Sequence, residues 1–523
     1  MYSLSISNHL LTDEQIVEFI TKGYLVLQND LPPQLHKDVM DKIYYVMHEE
    51  GNPGNNILPR VPDIAEFFET PIVKGALTSV LGPDYYMHPH RHCHYNQPGN
   101  QAPGGGEWHK DGYWSSMRSH RPWWAMIFYY TQDITEDLGP TAIMPGSQYY
   151  EKFLGDKGET LLPTGKAGTM VMVHFDLWHK ASLNVSNLDR YMLKFQFARL
   201  KEPEYPSWNH KNKEMVLPEG TPAIHLNLWQ DVWDWLRHEP ARSVAAKTID
   251  DYDLSQLKAD LNAMDASVRG RAADQLGLIG EAAASYVSEL GRLLSDPVEA
   301  VALNAAYALG HMGLAGTRTL LEQLQHGSNL IAKRAAYGLQ GSGSIAIPGL
   351  IGTLGHKEEN RRALAAFVLG MLGSTASEAV PALIMSLQDQ SQWVRRNSIE
   401  ALGMIVHPAD QIVPALVKAL KESLLEESAD SAKSGDLYVQ NQTYIINKNG
   451  YTAALSLLRA GKEGDADIVV DALKKALNSK DRYLRAYAAE ALSHVRTEEA
   501  IDALIRFGRS SRWCPDTHKY STF

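Results

Sequence analysis

The run Trp-His-Lys-Asp at residues 108–111 places an imidazole, His109, two positions from a carboxylate, Asp111, and a second imidazole, His179, follows far downstream. On an extended segment, residues two apart project to the same side, so His109 and Asp111 can take adjacent positions on one metal ion. His179 has to arrive from a different strand. Two neutral imidazoles and one hard carboxylate on a single face suit Fe(II) and leave the other positions open for a co-substrate and O2. Eleven residues after His179 stands Arg190. Its guanidinium offers a bidentate partner for the distal carboxylate of a dianion such as 2-oxoglutarate.

His-x-Asp alone is not specific, and the chain has two more copies, His36/Asp38 and His174/Asp176. The first pair falls within an expected helix, where residues two apart diverge. The second lacks a downstream imidazole with an arginine behind it, so His174 and Asp176 are read as strand residues near the site. His88, His90, His92 and His94 alternate along residues 85–95 and share a strand face. Alternating imidazoles spread along a strand instead of meeting at a point, so they are expected to wall the site.

These groups need a rigid frame. Thr12 with Gln15 forms a capping-box pattern ahead of a first helix, and Gly23 stops it. A buried strand is expected over residues 24–27, and a second helix from Pro32-Pro33 to about Met47. Further strands are expected over residues 122–130, 139–147, 168–175 and from Arg190 onward, separated by turn signals. Many short strands between turns describe an all-β barrel or jelly roll. On the last strand, alternation puts Arg190, Met192, Lys194 and Gln196 on one face. If Arg190 faces the site, so does Lys194, which becomes a candidate partner for an anionic substrate group together with Arg118. Tyr113, Trp114, Trp123 and Trp124 are candidate aromatic walls.

With 523 residues, one hydrophobic core is not enough. The net charge of −11 argues against nucleic acid as a main partner. Cys93 and Cys514 alone build no disulfide framework or cysteine zinc site. No signal peptide pattern or membrane-length apolar run is read, so the expectation is a cytoplasmic protein without a membrane partner.

Nine of eleven tryptophans precede residue 240. Beyond that shift the chain repeats itself about every thirty residues, with small alanines and anchoring leucines at Leu276, Leu309, Leu339, Leu369 and Leu402, and later at Leu457 and Leu492. This pattern resembles HEAT repeats, especially the short kind of phycobilin lyase-like proteins. The expected domains are 1–245, a β-rich unit with flanking helices, and 246–510, an all-α solenoid with a polar insertion at about 422–442. Residues 511–523 form a tail.

The first domain resembles the phytanoyl-CoA dioxygenase family on four features: Trp-His-x-Asp at 108–111, Gly-Pro-x-x-x-x-Pro-Gly-Ser at 139–147, Trp-His-x-x-x-x-Asn at 178–184, and Arg190. The resemblance implies a double-stranded β-helix, Fe(II) held by His109, Asp111 and His179, and 2-oxoglutarate and O2 as co-substrates. Departures touch the co-substrate contacts. Lys110 stands where the family often has glutamine, and Asn96 where some members have lysine. Ala181 replaces a serine that often helps hold the co-substrate, leaving Ser182 beside it as a substitute. Trp124 is a further candidate co-substrate neighbour. Retention of Asp111 speaks against a halogenase.

The function expected is a non-haem dioxygenase that hydroxylates an unactivated C–H bond of a small organic metabolite. One alternative is a protein or peptide hydroxylase whose repeats dock a partner on their concave face or self-associate. Another is a scaffold with an inactive oxygenase half.

Overall fold

The computed structural model describes residues 8–510 apart from 102, 113–114, 157, 240–249, 251 and 428–444. Tyr113, Trp114, most of the expected domain boundary, the later part of the insertion and the 511–523 tail therefore lie outside the described residues.

The N-terminal half is a six-stranded antiparallel sheet facing a two-stranded one. Its strands are β1 (Tyr24–Gln28), β2 (Tyr86–Met87), β3 (His92–Asn96), β4 (Trp124–Tyr130), β5 (Ala142–Ile143), β6 (Thr169–His174), β7 (His179–Lys180) and β8 (Arg190–Ala198). The large sheet runs β1-β6-β4-β8-β2, with β3 also paired to β8; the small one is β5-β7. This is the two-sheet arrangement of a double-stranded β-helix. β4, β6 and β8 are buried along their whole length, as expected of central strands covered on both faces. β1 departs from the expectation of a buried strand. It lies at the sheet edge, and Val26 is 45% exposed.

The first helix, Asp13–Lys22, carries the full capping box: Gln15 N–H donates to Thr12 Oγ1 and Thr12 N–H to Gln15 Oε1. Gly23 ends it at φ 77°, where a side chain would be strained. Such a cap is worth about 1 kcal/mol. The outer face of the large sheet is apolar; Phe195 stacks on Phe68 with centroids 4.3 Å apart. The inner face carries the polar residues of β8.

The expected single histidine strand is two strands with a break between them, both paired to β8. The break lies opposite Phe195 and Gln196, where His88 N–H still donates to the Gln196 carbonyl.

Seven inner helices of the repeats stack in chain order: Ala266–Ile279, Glu299–Gly310, Asn329–Gln340, Glu359–Met371, Gln392–Ile405, Lys448–Ala460 and Arg482–Val495. Small residues permit the close approach. A Cβ on Gly310 would run into the Gly338 carbonyl, and one on Gly338 into the Ala306 carbonyl. The expected insertion begins late, because the Ala409–Glu426 helix continues through its first residues.

The N-terminal half packs on the inner layer through His120 and Tyr307, His88 and Tyr487, and Ser116 and Glu400. Where these residues meet, the repeats are covered by their own chain. No helix among the described residues is long and apolar enough to cross a membrane.

Candidate metal centre

His109 and His179 are brought together by a two-way backbone bridge: His109 N–H donates to the His179 carbonyl at 3.0 Å and the reverse bond is 3.1 Å. This bridge extends the β5-β7 sheet by the Trp-His-Lys-Asp segment and sets the imidazoles side by side, with ring centroids 4.5 Å apart. Ligand atoms of His109, Asp111 and His179 all lie within 4.8 Å of one another. These three are the one His/Cys/Asp/Glu group of metal-binding geometry found among the described residues.

Each imidazole is also oriented. His109 Nδ1 faces the Glu107 carbonyl at 2.7 Å, and His179 Nδ1 the Leu177 carbonyl at 2.9 Å. A carbonyl can only accept, so both Nδ1 atoms carry the proton and both Nε2 atoms present a lone pair. This is the tautomer a metal requires. Burial lowers the His179 pKa further, and the Lys194 ammonium adds to the effect.

Asp111 is oriented too. Its Oδ2 accepts from Lys194 Nζ at 2.6 Å and from Gln196 Nε2 at 3.5 Å, while Oδ1 lies 3.6 Å from His179 Nε2. Burial opposes ionisation, yet Lys194 and His179 hold the carboxyl well below the usual carboxylate range. Oδ1 is thus the oxygen turned toward His179.

At the start of β8, Arg190 is 2% exposed. Its Nη2 donates to the Gly139 carbonyl at 2.9 Å and Nη1 to the His94 carbonyl at 3.3 Å. Its Nε is buried without an acceptor, and among the described residues no carboxylate pairs with it. A buried guanidinium without a counter-charge is costly, which fits a site for an anion. Asn96 sits opposite Arg190 in the β3–β8 register and donates through Nδ2 to the carbonyls of Ser182 and Gly139. Arg190, Asn96 and Ser182 are therefore gathered at one end of the site.

Trp124 is not with them. It pairs with Ala198 at the far end of β8, about 26 Å from Arg190 by strand rise, and its indole N–H donates to Ser115 Oγ at 3.1 Å. It lies on the face of the sheet that carries Lys194 and Gln196, but at the other end of the strand. Arg118 also departs from its expected part in substrate contact. It pairs with Asp176 and donates to the Asp111 carbonyl at 2.7 Å, so it braces the ligand segment. Lys194 lies in the site as alternation requires, but its ammonium is held by Asp111. Lys110 points to the Gln148 carbonyl at 3.0 Å and over the Trp178 ring, and burial pulls its pKa down to about 8.

The other two His-x-Asp pairs do not assemble. His36 Nε2 meets Tyr129 Oη at 2.6 Å, and His174 Nδ1 accepts from Asp176 N–H. The β3 imidazoles line the site side of the sheet. His90 and His92 rings are 4.4 Å apart, and burial pushes the His90 pKa down to about 3. Sequence reasoning missed that repeat residues complete this wall: Tyr483 Oη lies 2.8 Å from His90 Nδ1, and Tyr487 Oη 2.9 Å from His88 Nδ1.

Residues 22–192 match the family model described as phytanoyl-CoA dioxygenase; residues 254–340 and 347–435 match HEAT repeats, and 484–507 a PBS lyase HEAT-like repeat. No curated protein matches the chain. Among solved structures it is similar to the non-heme alpha ketoglutarate dependent carbocyclase SnoK from nogalamycin biosynthesis, at 15% identity over 36% of this chain and 85% of that one, TM-score 0.32. It is also similar to EctD from S. alaskensis with 2-oxoglutarate and 5-hydroxyectoine, at 18% identity over 40% and 84%, TM-score 0.31. A third is HygX from Streptomyces hygroscopicus with nickel and 2-oxoglutarate bound, at 14% identity over 38% and 90%, TM-score 0.30. The chain thus carries, over residues 22–192, a domain of the phytanoyl-CoA dioxygenase family, followed by HEAT-like repeats.

Proposed function

We propose that His109 Nε2, His179 Nε2 and Asp111 Oδ1 hold Fe(II), that Arg190 receives the distal carboxylate of 2-oxoglutarate, and that the enzyme hydroxylates a C–H bond of a small organic molecule. The observation that carries the reading is the pairing of an oriented, metal-ready triad with a buried guanidinium that has no counter-charge. When bound, iron with 2-oxoglutarate and O2 supplies a two-electron oxidation: R–H, 2-oxoglutarate and O2 give R–OH, succinate and CO2.

The chain's residues have defined parts in this. The carbonyls of Glu107 and Leu177 fix the imidazole tautomers. Lys194 and Gln196 engage Asp111 Oδ2 and leave Oδ1 for the metal. Asn96 ties the Ser182 and Gly139 loops around Arg190. With a divalent iron, the Asp111 anion, the Lys194 cation, the 2-oxoglutarate dianion and the Arg190 cation, the site sums to one positive charge. That balance favours a neutral or monoanionic substrate over a cationic one. A protein or peptide substrate docked on the repeats is the second reading, and it would have to use repeat surface outside the contacts with His88, Ser116 and His120.

Anaerobic titration of the full chain with Fe(II) and 2-oxoglutarate tests the reading through the visible charge-transfer band of the chelate. Arg190→Leu should weaken 2-oxoglutarate binding by about a hundredfold or more, as loss of a bidentate charged pair does, and leave metal binding intact. Equal 2-oxoglutarate affinity in the two proteins would remove Arg190 from its role. Succinate release against a panel of metabolites and peptides then reports the substrate class.

A further inference from the structure

The position two residues before the anchoring leucine changes in chemistry from repeat to repeat: Asp274, Tyr307, Tyr337, Phe367, Glu400. In each of these five repeats it faces the oxygenase half. Asp274 accepts from the backbone N–H of Leu226 at 2.8 Å and of Asn227 at 3.3 Å, at the start of the Leu226–Leu236 helix. The other four converge on one segment, residues 115–121. Tyr307 Oη lies 2.9 Å from His120 Nδ1, and the Tyr337 ring stacks on His120 with centroids 4.0 Å apart. Phe367 lines a small cavity with Ser115, Ser116 and Ser119. Glu400 Oε2 accepts from Ser116 N–H at 2.8 Å and also from Ser116 Oγ–H.

This gripped segment begins four residues after Asp111. Its Arg118 reaches back to donate to the Asp111 carbonyl at 2.7 Å, while pairing with Asp176. Arg121, at its other end, donates to the Met371 carbonyl of the repeats at 2.7 Å and pairs with Asp231. An unbroken line of contacts therefore runs from the inner helices of the repeats through residues 115–121 to the main chain of a metal ligand.

We propose that the repeats are a positioning element of the metal centre: Tyr307, Tyr337 and Glu400 hold residues 115–121, and this segment sets Asp111 through Arg118. The inference rests on the metal reading above and goes beyond it, because it assigns a role to residues that touch neither metal nor co-substrate.

Mn(II) binding to the full chain, read by the EPR signal of the free ion, tests it. Glu400→Ala and Tyr337→Ala should each weaken Mn(II) binding about tenfold, the lower end of the effect of removing a support behind a ligand. They should also shift the visible spectrum of the Co(II) form. Glu400→Gln, which keeps an acceptor for Ser116, should restore both. Asp274→Ala, which loosens the grip on a helix that carries no ligand, should lower thermal stability and leave Mn(II) affinity unchanged. If the alanine variants fail to fold, Tyr307→Phe, which removes one hydroxyl, carries the comparison and should weaken Mn(II) binding measurably. Unchanged Mn(II) affinity in the segment-gripping variants, or an equal loss in Asp274→Ala, overturns the proposal. A wild-type chain that binds no Mn(II) overturns the metal reading itself and this inference with it.

Discussion

The Lys194 ammonium donates to Asp111 Oδ2 at 2.6 Å, while the other carboxylate oxygen, Oδ1, faces His179 Nε2 at 3.6 Å. The two oxygens of one side chain thus have different partners. Without metal, Lys194 is the nearest counter-charge of a largely buried anion.

Replacing Lys194 with methionine should therefore destabilise the metal-free protein by about 2 kcal/mol. A fully buried pair loses more when one partner is removed, and Asp111 keeps 18% side-chain exposure, which screens part of the loss. A divalent cation supplies the missing charge, so the rise in Tm on adding Mn(II) should be larger in Lys194→Met than in wild type. Thermal unfolding with and without Mn(II) measures this; equal rises would remove Lys194 from the role of counter-ion.

Helical glycine-to-alanine changes usually stabilise, by up to about 1 kcal/mol. Gly338→Ala should do the reverse, because the new methyl group would meet the Ala306 carbonyl of the neighbouring inner helix. A loss of about 1–3 kcal/mol is expected from such overpacking. Urea denaturation of the two proteins measures it, and a gain in stability would show that the inner helices are not in close contact there.

Asp274 is 1% exposed, and burial pushes its carboxyl up to about 7 against the donors at Leu226 and Asn227. The folded chain holds this proton more tightly than the unfolded chain does. Its contribution is complete below the ordinary aspartate value of 3.8 and is lost as pH rises through about 7. Stability should thus decline from pH 5 to pH 8, by a contribution on the order of 3 kcal/mol. Asp274→Asn should flatten the decline, as measured by denaturant midpoints across that range. An identical slope in the variant would exclude Asp274 as its source.

A chain ending at residue 239 should not form a well-packed oxygenase. It would lose the partners of His88, His120 and Ser116, and expose apolar surface now covered by the inner helices. Size-exclusion chromatography and near-ultraviolet circular dichroism should report aggregation or loss of fixed packing. A monomer that binds Mn(II) as tightly as the full chain would contradict this.

How much of this was legible in the sequence depends on how far apart the partners lie along it. His109, Asp111 and His179 were readable as candidate ligands because a metal site constrains residue type and spacing together, and the structure brings the three within reach of one ion. Lys194 was readable as to its face, since alternation is local, but Asp111 as its partner was not. Trp124 was proposed as a co-substrate neighbour on residue type alone, and residue type does not report distance along the strand, which puts it at the far end from Arg190. The part of Arg118 depends on a fold that brings Asp176 beside Asp111. Glu400 and Ser116 lie 284 residues apart, and no periodicity links them. One signal was available and not used. Within repeats that keep their leucine, and in four of the five an alanine pair, the position two before the leucine runs Asp, Tyr, Tyr, Phe, Glu, and that variation marks the residues facing the N-terminal half.

Solenoids ordinarily tolerate gain or loss of a unit, because every unit meets only its neighbours. Here each unit is addressed to a particular place on a folded body of fixed size. Inserting or deleting a single copy between Tyr307 and Glu400 would offset all later grips by one step, so that Glu400 would no longer reach Ser116. Copy number between Tyr307 and Glu400 is thereby tied to the dimensions of the body these repeats grip, and growth of the array is left to its ends.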